Sequence, residues 1–387
     1  MPLVPLRPLL EAANKYGYAQ GAFNVNSVAQ IKAVIEVHEM LRSPLLIQGA
    51  ELGNGFMGGR TDFINSTLED KRVGAKKIGD WVRKYAENAS IPIALHLDHG
   101  TNLDAVIAAI DGGYTSVMID GSHLPYDQNV EITREVVKYA HARGVTVEGE
   151  LGILAGVEDH VFSESSTYTN PLQAIDFIRK TEVDSLAISY GTMHGPVKGK
   201  NVKLRKEIVI AIKEILQHEG IVCAIVSHGS SKVPKYIVDE INLLGGIVSN
   251  AGGISTSEIQ QAIQAGIAKI NVDTDIRLAV TRNMREFFYK NPLKRDSSSI
   301  GAIYQLMEEN KKQVDPRAFI TPIMETVTDG VVPDEDVAAI VKCIEKGVKE
   351  VVGTSIVEFG SVGKAPLVEC TSLDEMILKY KQPALSI

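Results

Sequence analysis

The residues best equipped for chemistry lie where apolar runs stop. Ile91-Pro92-Ile93-Ala94-Leu95-His96-Leu97-Asp98-His99-Gly100 is rich in strand formers and ends on a carboxylate, an imidazole and a glycine. Two further runs end alike. Leu186 to Gly191 leads out to His194, and Ile221 to Ser227 leads out to His228-Gly229. Three converging histidines with an open fourth position form the donor set of a catalytic zinc. A lone histidine at a strand end is ordinarily structural. Three of them, each followed by glycine, make His99, His194 and His228 the expected metal ligands. Asp98 adjoins one ligand and can take a proton from a substrate group. Asp120 and Glu150 end apolar runs and are expected to hold a second cation or to orient the ligands. Glu158, in Gly156-Val157-Glu158-Asp159-His160, sits in a loop able to close over substrate. His96 falls one residue early on its strand and, with the remaining histidines, is assigned no role.

Two other segments suit phosphate. His228-Gly229-Ser230-Ser231 follows the seventh apolar run, and Asn271-Val272-Asp273-Thr274 follows the eighth and opens a helix. Loops after strands seven and eight, with a helix N-terminus, cradle phosphate in barrels of this kind. Gly229 admits backbone N–H groups, while Ser231 and Thr274 add hydroxyls. Lys198, in His194-Gly195-Pro196-Val197-Lys198, supplies a cation. Arg277, one helical turn after Asp273, is placed to meet a second phosphate.

Positioning these groups requires their strand ends to converge. Strand-like runs lie near 19–25, 44–50, 91–97, 114–119, 145–150, 184–190, 221–227 and 267–272, and helical patterns follow nearly all of them. The alternation predicts a (β/α)8 TIM barrel, with an open doubly wound sheet as the competitor. Nearly every run ends in a polar residue, Asn24 and Gln48 included, and only closure brings all of these to one rim. Residues 236–257 read as an insertion before the last strand. The barrel is expected over about 1–290. A helical extension over about 291–387 is expected to contain helices at 299–312, 315–327 and 334–349, making one domain of 1–387.

The chain has 387 residues, 44% of them hydrophobic and 23% charged, enough for a large core. A net charge of −8 argues against nucleic acid or an anionic membrane as partner. Cys223, Cys343 and Cys370 show no paired spacing, and no signal peptide or bilayer-length apolar stretch is visible. A cytoplasmic location is the expectation.

From about Leu6 to Ala365 the chain resembles the class II, metal-dependent fructose-bisphosphate aldolases. The phrases that carry the resemblance are Gly21-Ala22-Phe23-Asn24-Val25, His96-Leu97-Asp98-His99-Gly100, Thr115 to Asp120, Glu148-Gly149-Glu150-Leu151-Gly152, Gly191-Thr192-Met193-His194-Gly195, His228-Gly229-Ser230-Ser231 and Ile270 to Asp275. Phe359 to Ala365 and the long insertion resemble the longer, thermophile-type bacterial branch. The resemblance implies zinc, or cobalt or iron, on His99, His194 and His228. It implies reversible cleavage of fructose 1,6-bisphosphate to dihydroxyacetone phosphate and glyceraldehyde 3-phosphate in glycolysis and gluconeogenesis, through a zinc-stabilised enediolate. Asp98 would deprotonate the C4 hydroxyl, Glu158 would protonate C3, and Asn271 would help hold the enediolate. Gly195, Gly229, Ser231 and Thr274 would bind the dihydroxyacetone phosphate end, with a monovalent cation (Na+ or K+) near Met193, Gly195 and Gly229. Asn24, Gln48, Lys198 and Arg277 complete the expected substrate-binding set. Homodimers or homotetramers are the expected assemblies.

Asp273 would contact the hydroxyls on the aldehyde side. Relatives acting on tagatose 1,6-bisphosphate tend to carry alanine there, so Asp273 favours the fructose epimer. The chain departs from the family pattern at Ala50, where serine is usual, at Ser230-Ser231-Lys232, and in the glycines after Glu150. Alternatives are a tagatose- or other ketose-bisphosphate aldolase, a Schiff-base enzyme using Lys269, and a sugar-phosphate-binding protein without turnover.

Overall fold

The computed structural model describes residues 3–154, 156–158, 161–163, 167–195 and 203–382; for 157–158 and 161–163 it describes the backbone only. Its strands are β1 (Gln20–Asn24), β2 (Leu45–Ala50), β3 (Ile93–Gly100), β4 (Ser116–Ile119), β5 (Thr146–Leu151), β6 (Gly156–Glu158), β7 (Val161–Ser163), β8 (Ser185–Ile188), β9 (Ala224–Ser227) and β10 (Ile267–Val272). Eight of them pair in parallel in the order β1-β2-β3-β4-β5-β8-β9-β10, and β10 closes onto β1. The barrel expectation holds, and the open sheet is excluded because β1 is paired on both edges. The antiparallel hairpin β6–β7 lies outside the barrel sheet.

Alternation along each strand sorts the side chains. Ile93, Leu95 and Leu97 of β3 join the main apolar cluster with the surrounding helices. Ala94 instead belongs to a second cluster with Ala22, Leu46, Ala224 and Ala268. The four alanines of this set leave room at the floor of the barrel for Leu6, Leu9 and Leu10 at the start of helix α1 (Arg7–Tyr16). Burying such leucines contributes about 1.5–3 kcal/mol each.

Helices α2 (Val28–Leu41), α3 (Glu51–Met57), α4 (Leu68–Ala86), α5 (Leu103–Asp111), α6 (Tyr126–His141), α7 (Pro171–Thr181) and α8 (Lys206–His218) follow successive strands. Ser27, Thr67, Asn102 and Asn170 each accept a backbone N–H at a helix start, satisfying donors the helix leaves open. The supposed insertion contains helix α9 (Lys235–Leu243), whose Ile237, Val238 and Ile241 are buried, and α10 (Thr256–Ala265) leads into β10. Next come α11 (Thr274–Lys290), α12 (Gly301–Glu309), α13 (Met324–Asp329), α14 (Glu335–Glu358) and α15 (Leu373–Lys381).

Three boundaries differ from expectation. The helix expected over 315–327 breaks into 3-10 turns at Pro316–Ala318 and Thr321–Ile323 before α13, because Pro316 and Pro322 cannot donate to a continuous helix. Helix α14 runs nine residues past its expected end at 349, straight through Gly353, and the chain first takes a left-handed turn at Gly360. Helix α15 adds to the expected helices; its Tyr380 hydrogen-bonds Asp184 at 2.9 Å and stacks on His141. The phrase after α14 docks on the barrel periphery, with Gly363 N–H on Leu41 C=O and Ala365 N–H on Arg42 C=O.

Candidate active site

The upper end of β3 breaks the strand rule that adjacent side chains face opposite ways. Its pairing with β4 shifts register between Leu97 and Gly100, and His99 adopts a left-handed φ of 51°. Such a backbone is unusual for a non-glycine residue and re-aims the side chain. Asp98 and His99 thereby both join the polar cluster at the rim.

Asp98 is held by two amides. Asn24 Nδ2 donates to its Oδ2 and Asn271 Nδ2 donates to its Oδ1, each at 3.0 Å. Gln48 Nε2 in turn donates to Asn24 Oδ1 at 2.8 Å, which fixes the Asn24 amide with its nitrogen toward the carboxylate. All four side chains are buried. This set positions a proton acceptor without neutralising it.

The three histidines meet beside it. Ring centroids lie 5.5 Å apart for His99 and His194, 4.9 Å for His99 and His228, and 6.4 Å for His194 and His228. His99 Nδ1 is 3.0 Å from Asp120 Oδ2, and Asp120 accepts from the backbone N–H and hydroxyl of Ser122. His228 Nε2 is 2.8 Å from Glu148 Oε1, with Nδ1 3.6 Å from Glu150 Oε2. Among the described residues, His99 Nε2, His228 Nδ1 and Glu150 Oε2 are buried without a hydrogen-bond partner. Buried polar atoms are almost always paired, so several orphans in one place point to a missing ligand. Atoms of Asp98, His99 and His228 lie within 4.8 Å of one another, as do those of His99, Asp120 and Glu150. The donor set fits a divalent cation, with two imidazoles each oriented by a carboxylate.

The electrostatics agree. Burial disfavours a charged His99, but Asp98 and Asp120 outweigh it and raise its pKa well above the ordinary value. Burial and the neighbouring Asp120 push Glu150 well above the usual carboxylate range. Burial also opposes ionisation of Asp120, yet the hydrogen bond from His99 holds it low. An acid-rich pocket that draws protons onto its imidazole and onto one carboxyl is a pocket that attracts positive charge.

The phosphate loops are joined at their base. Asp275 of α11 accepts the backbone N–H groups of Lys232 and Val233 at 2.9 and 2.8 Å, tying the loop after β9 to the helix start after β10. Ser227 links Tyr190 and Ser230 through hydroxyl contacts of 2.5 and 2.6 Å. Gly229 has φ 60°, and a Cβ there would lie 2.6 Å from Met193 backbone atoms, so the loops after β8 and β9 touch directly. Gly195, Ser231 and Thr274 are buried nearby in the chain. The Lys232 side chain reaches outward to Glu358 on α14, away from the loop. Ala50 ends β2 in register with Asp98. Arg277 spends its guanidinium on Asp273 and on Asp315, the latter at 2.9 Å, so both of these carboxylates stand between it and the role of a free phosphate group. Lys198 lies outside the described residues. Glu158 ends strand β6, and its side chain is likewise outside the description; a Cβ on Gly156 of the same strand would collide with the His194 carbonyl, so the hairpin runs against that ligand's backbone.

Two groups in the barrel interior have structural partners that the sequence reading did not supply. Glu148 braces His228, and Lys269 Nζ donates to Glu148 Oε2 at 2.9 Å. The i, i+2 spacing of Glu148 and Glu150 on one strand was the signal available. Lys269 is fully buried with its amine engaged by Glu148 and His96, an arrangement that argues against a free amine for Schiff-base chemistry. His96 lies inside the barrel rather than off the strand, because it shares the inward parity of Asp98; its Nδ1 is 2.8 Å from Ser116 Oγ.

The profile of the class-II fructose-bisphosphate aldolases matches residues 4–364. A fructose-bisphosphate aldolase of Giardia intestinalis is 37% identical over 388 aligned positions, covering 98% of this chain and 100% of the relative. One from Thermus caldophilus is 36% identical, covering 92% and 98%. The crystal structure of a fructose-bisphosphate aldolase from Campylobacter jejuni superposes with a TM-score of 0.66 at 21% identity, covering 94% of this chain and 97% of that one, a likeness of fold. Among the described residues no helix is long and apolar enough to cross a membrane. The chain belongs to the class II fructose-bisphosphate aldolases, a family of metal-dependent lyases.

Proposed function

We propose that this aldolase cleaves fructose 1,6-bisphosphate reversibly into dihydroxyacetone phosphate and glyceraldehyde 3-phosphate, with Asp98 as base and His99, His194 and His228 as ligands of a zinc ion. The observation that carries the reading is the meeting of orphaned, buried imidazole nitrogens with a carboxylate steadied by two amides. When bound, the metal supplies Lewis-acid polarisation of substrate oxygens. Asp98 takes the proton from the C4 hydroxyl; the C4–O bond becomes a carbonyl as the C3–C4 bond breaks, and its electron pair passes toward C2. Glu158 returns a proton to C3. Asn24 and Asn271 hold Asp98 in line, and Gln48 holds Asn24.

Asp120 and Glu148 orient two ligands, while Glu150 places a further carboxyl beside them. The loops carrying Gly195, Gly229, Ser231 and Thr274 take the phosphate of the dihydroxyacetone half. The close approach of Gly229 to Met193 supports a monovalent cation bound by that backbone. Asp273, clamped by Arg277, faces the aldehyde-side hydroxyls and selects the fructose epimer; Lys198 adds a cation for phosphate. A coupled assay of triose phosphate release from fructose 1,6-bisphosphate and its tagatose epimer tests the assignment. Preference for the fructose substrate is expected. Preference for the tagatose epimer would shift the assignment to that relative, and ligand binding without triose phosphate would make the protein a binder.

A further inference from the structure

The metal donors account for His99 and His228, but not for the polar layer beneath them. One layer deeper in the barrel, β5 contributes Glu148, β10 Lys269, β3 His96 and β4 Ser116, all fully buried. A buried lysine or glutamate is costly unless paired, and an apolar pair of similar volume is often as stable or more so. Something other than stability therefore favours this pair. Lys269 Nζ sits between Glu148 Oε2 at 2.9 Å and His96 Nε2 at 3.4 Å, and His96 Nδ1 rests on Ser116. The lysine is thus fixed from two sides. Glu148 spends its other oxygen, Oε1, on His228 Nε2. A carboxylate only accepts, so His228 Nε2 carries the hydrogen and the lone pair is on Nδ1. That atom is the buried one without a partner in the cluster above.

We propose that Glu148 and Lys269 are positioning residues for the metal centre: Lys269 holds Glu148 in one orientation, and Glu148 fixes His228 as the Nε2–H tautomer that presents Nδ1 to the ion. The register shift between β10 and β9 at Ile267/Lys269 serves this arrangement, since Ala268 faces the barrel floor and Lys269 nonetheless reaches the interior. The inference rests on His228 being a metal ligand.

The test removes both charges together, so that neither is stranded. In Glu148→Leu/Lys269→Met the metal-free protein melts at or above the wild-type temperature. Its affinity for Zn2+ or Co2+ alone, measured by chelator competition, falls roughly 10- to 100-fold, and the visible bands of bound Co2+ shift. Wild-type affinity with an unchanged Co2+ spectrum overturns the proposal. Should that variant fail to fold, imidazole 15N shifts of His228 in metal-free wild-type protein decide the matter. The Nε2–H tautomer supports the proposal and Nδ1–H overturns it. If wild-type protein binds neither ion, the metal-centre reading fails instead, and the tautomer measurement still reports on the pair.

Discussion

Replacing Asn24 with alanine tests whether Asp98 works as a positioned base. The Asn24 amide gives Asp98 Oδ2 one of its two amide hydrogen bonds and takes one from Gln48. The substitution removes the first contact and leaves Gln48 Nε2 without its acceptor, while touching no metal ligand. A hydrogen bond to a charged group is worth about 1.5–3 kcal/mol. If that energy holds the carboxylate in the reactive orientation, kcat falls roughly 10- to 100-fold, at about 1.4 kcal/mol per tenfold. Metal content, read by atomic absorption, stays at the wild-type level. The decisive arm is a double-mutant cycle with Asp98→Ala, a variant expected to lose about 100- to 10,000-fold as a missing general base. With no carboxylate left to orient, Asn24→Ala adds less than about twofold in that background. Equal losses in both backgrounds, or a wild-type kcat for Asn24→Ala, would refute the reasoning, because Asn24 would then act on substrate directly or not at all.

Asp120→Ala removes the acceptor that orients His99, so zinc affinity by chelator competition falls roughly 10- to 100-fold; an unchanged affinity removes Asp120 from the centre. Asp273→Ala lowers kcat/KM for fructose 1,6-bisphosphate more than for its tagatose epimer, and equal losses cancel the specificity argument. His38, buried in α2 with Nδ1 2.9 Å from Val34 C=O, is lowered by burial from 6.5 to about 4 despite that contact. The unfolded chain therefore binds a proton that the folded chain refuses. Stability falls as pH drops from 6.5 toward 4, by about 3 kcal/mol in all. His38→Leu flattens this limb in urea unfolding of chelated protein, and an unchanged slope would show that His38 is not its source.

The barrel was legible because each apolar run ended in a polar residue, and eight such ends have one shared destination. What resisted reading was direction. Asp98 and His99 are neighbours, and a regular strand turns neighbours apart; only the left-handed backbone at His99 brings both into the site, and no residue type there announces it. The same parity, followed strictly, would have placed His96 inside the barrel and Glu148 beside Glu150. Lys269 was hidden by the shifted register of β10. The reach of Arg277 depended on Asp315, distant in sequence and brought close by the turns at Pro316 and Pro322. Residues 315–327 read as a single helix, but Pro316 and Pro322 divide them into short turns. The outward course of Lys232 required α14, whose length the sequence did not delimit.

Triose phosphate release after exhaustive chelation, and again after zinc is restored, tests the central claim most directly, with borohydride added to substrate in a parallel sample. The account predicts that activity disappears on chelation, returns with zinc and leaves no trapped adduct. Activity that survives chelation, or substrate covalently trapped on Lys269, would contradict it.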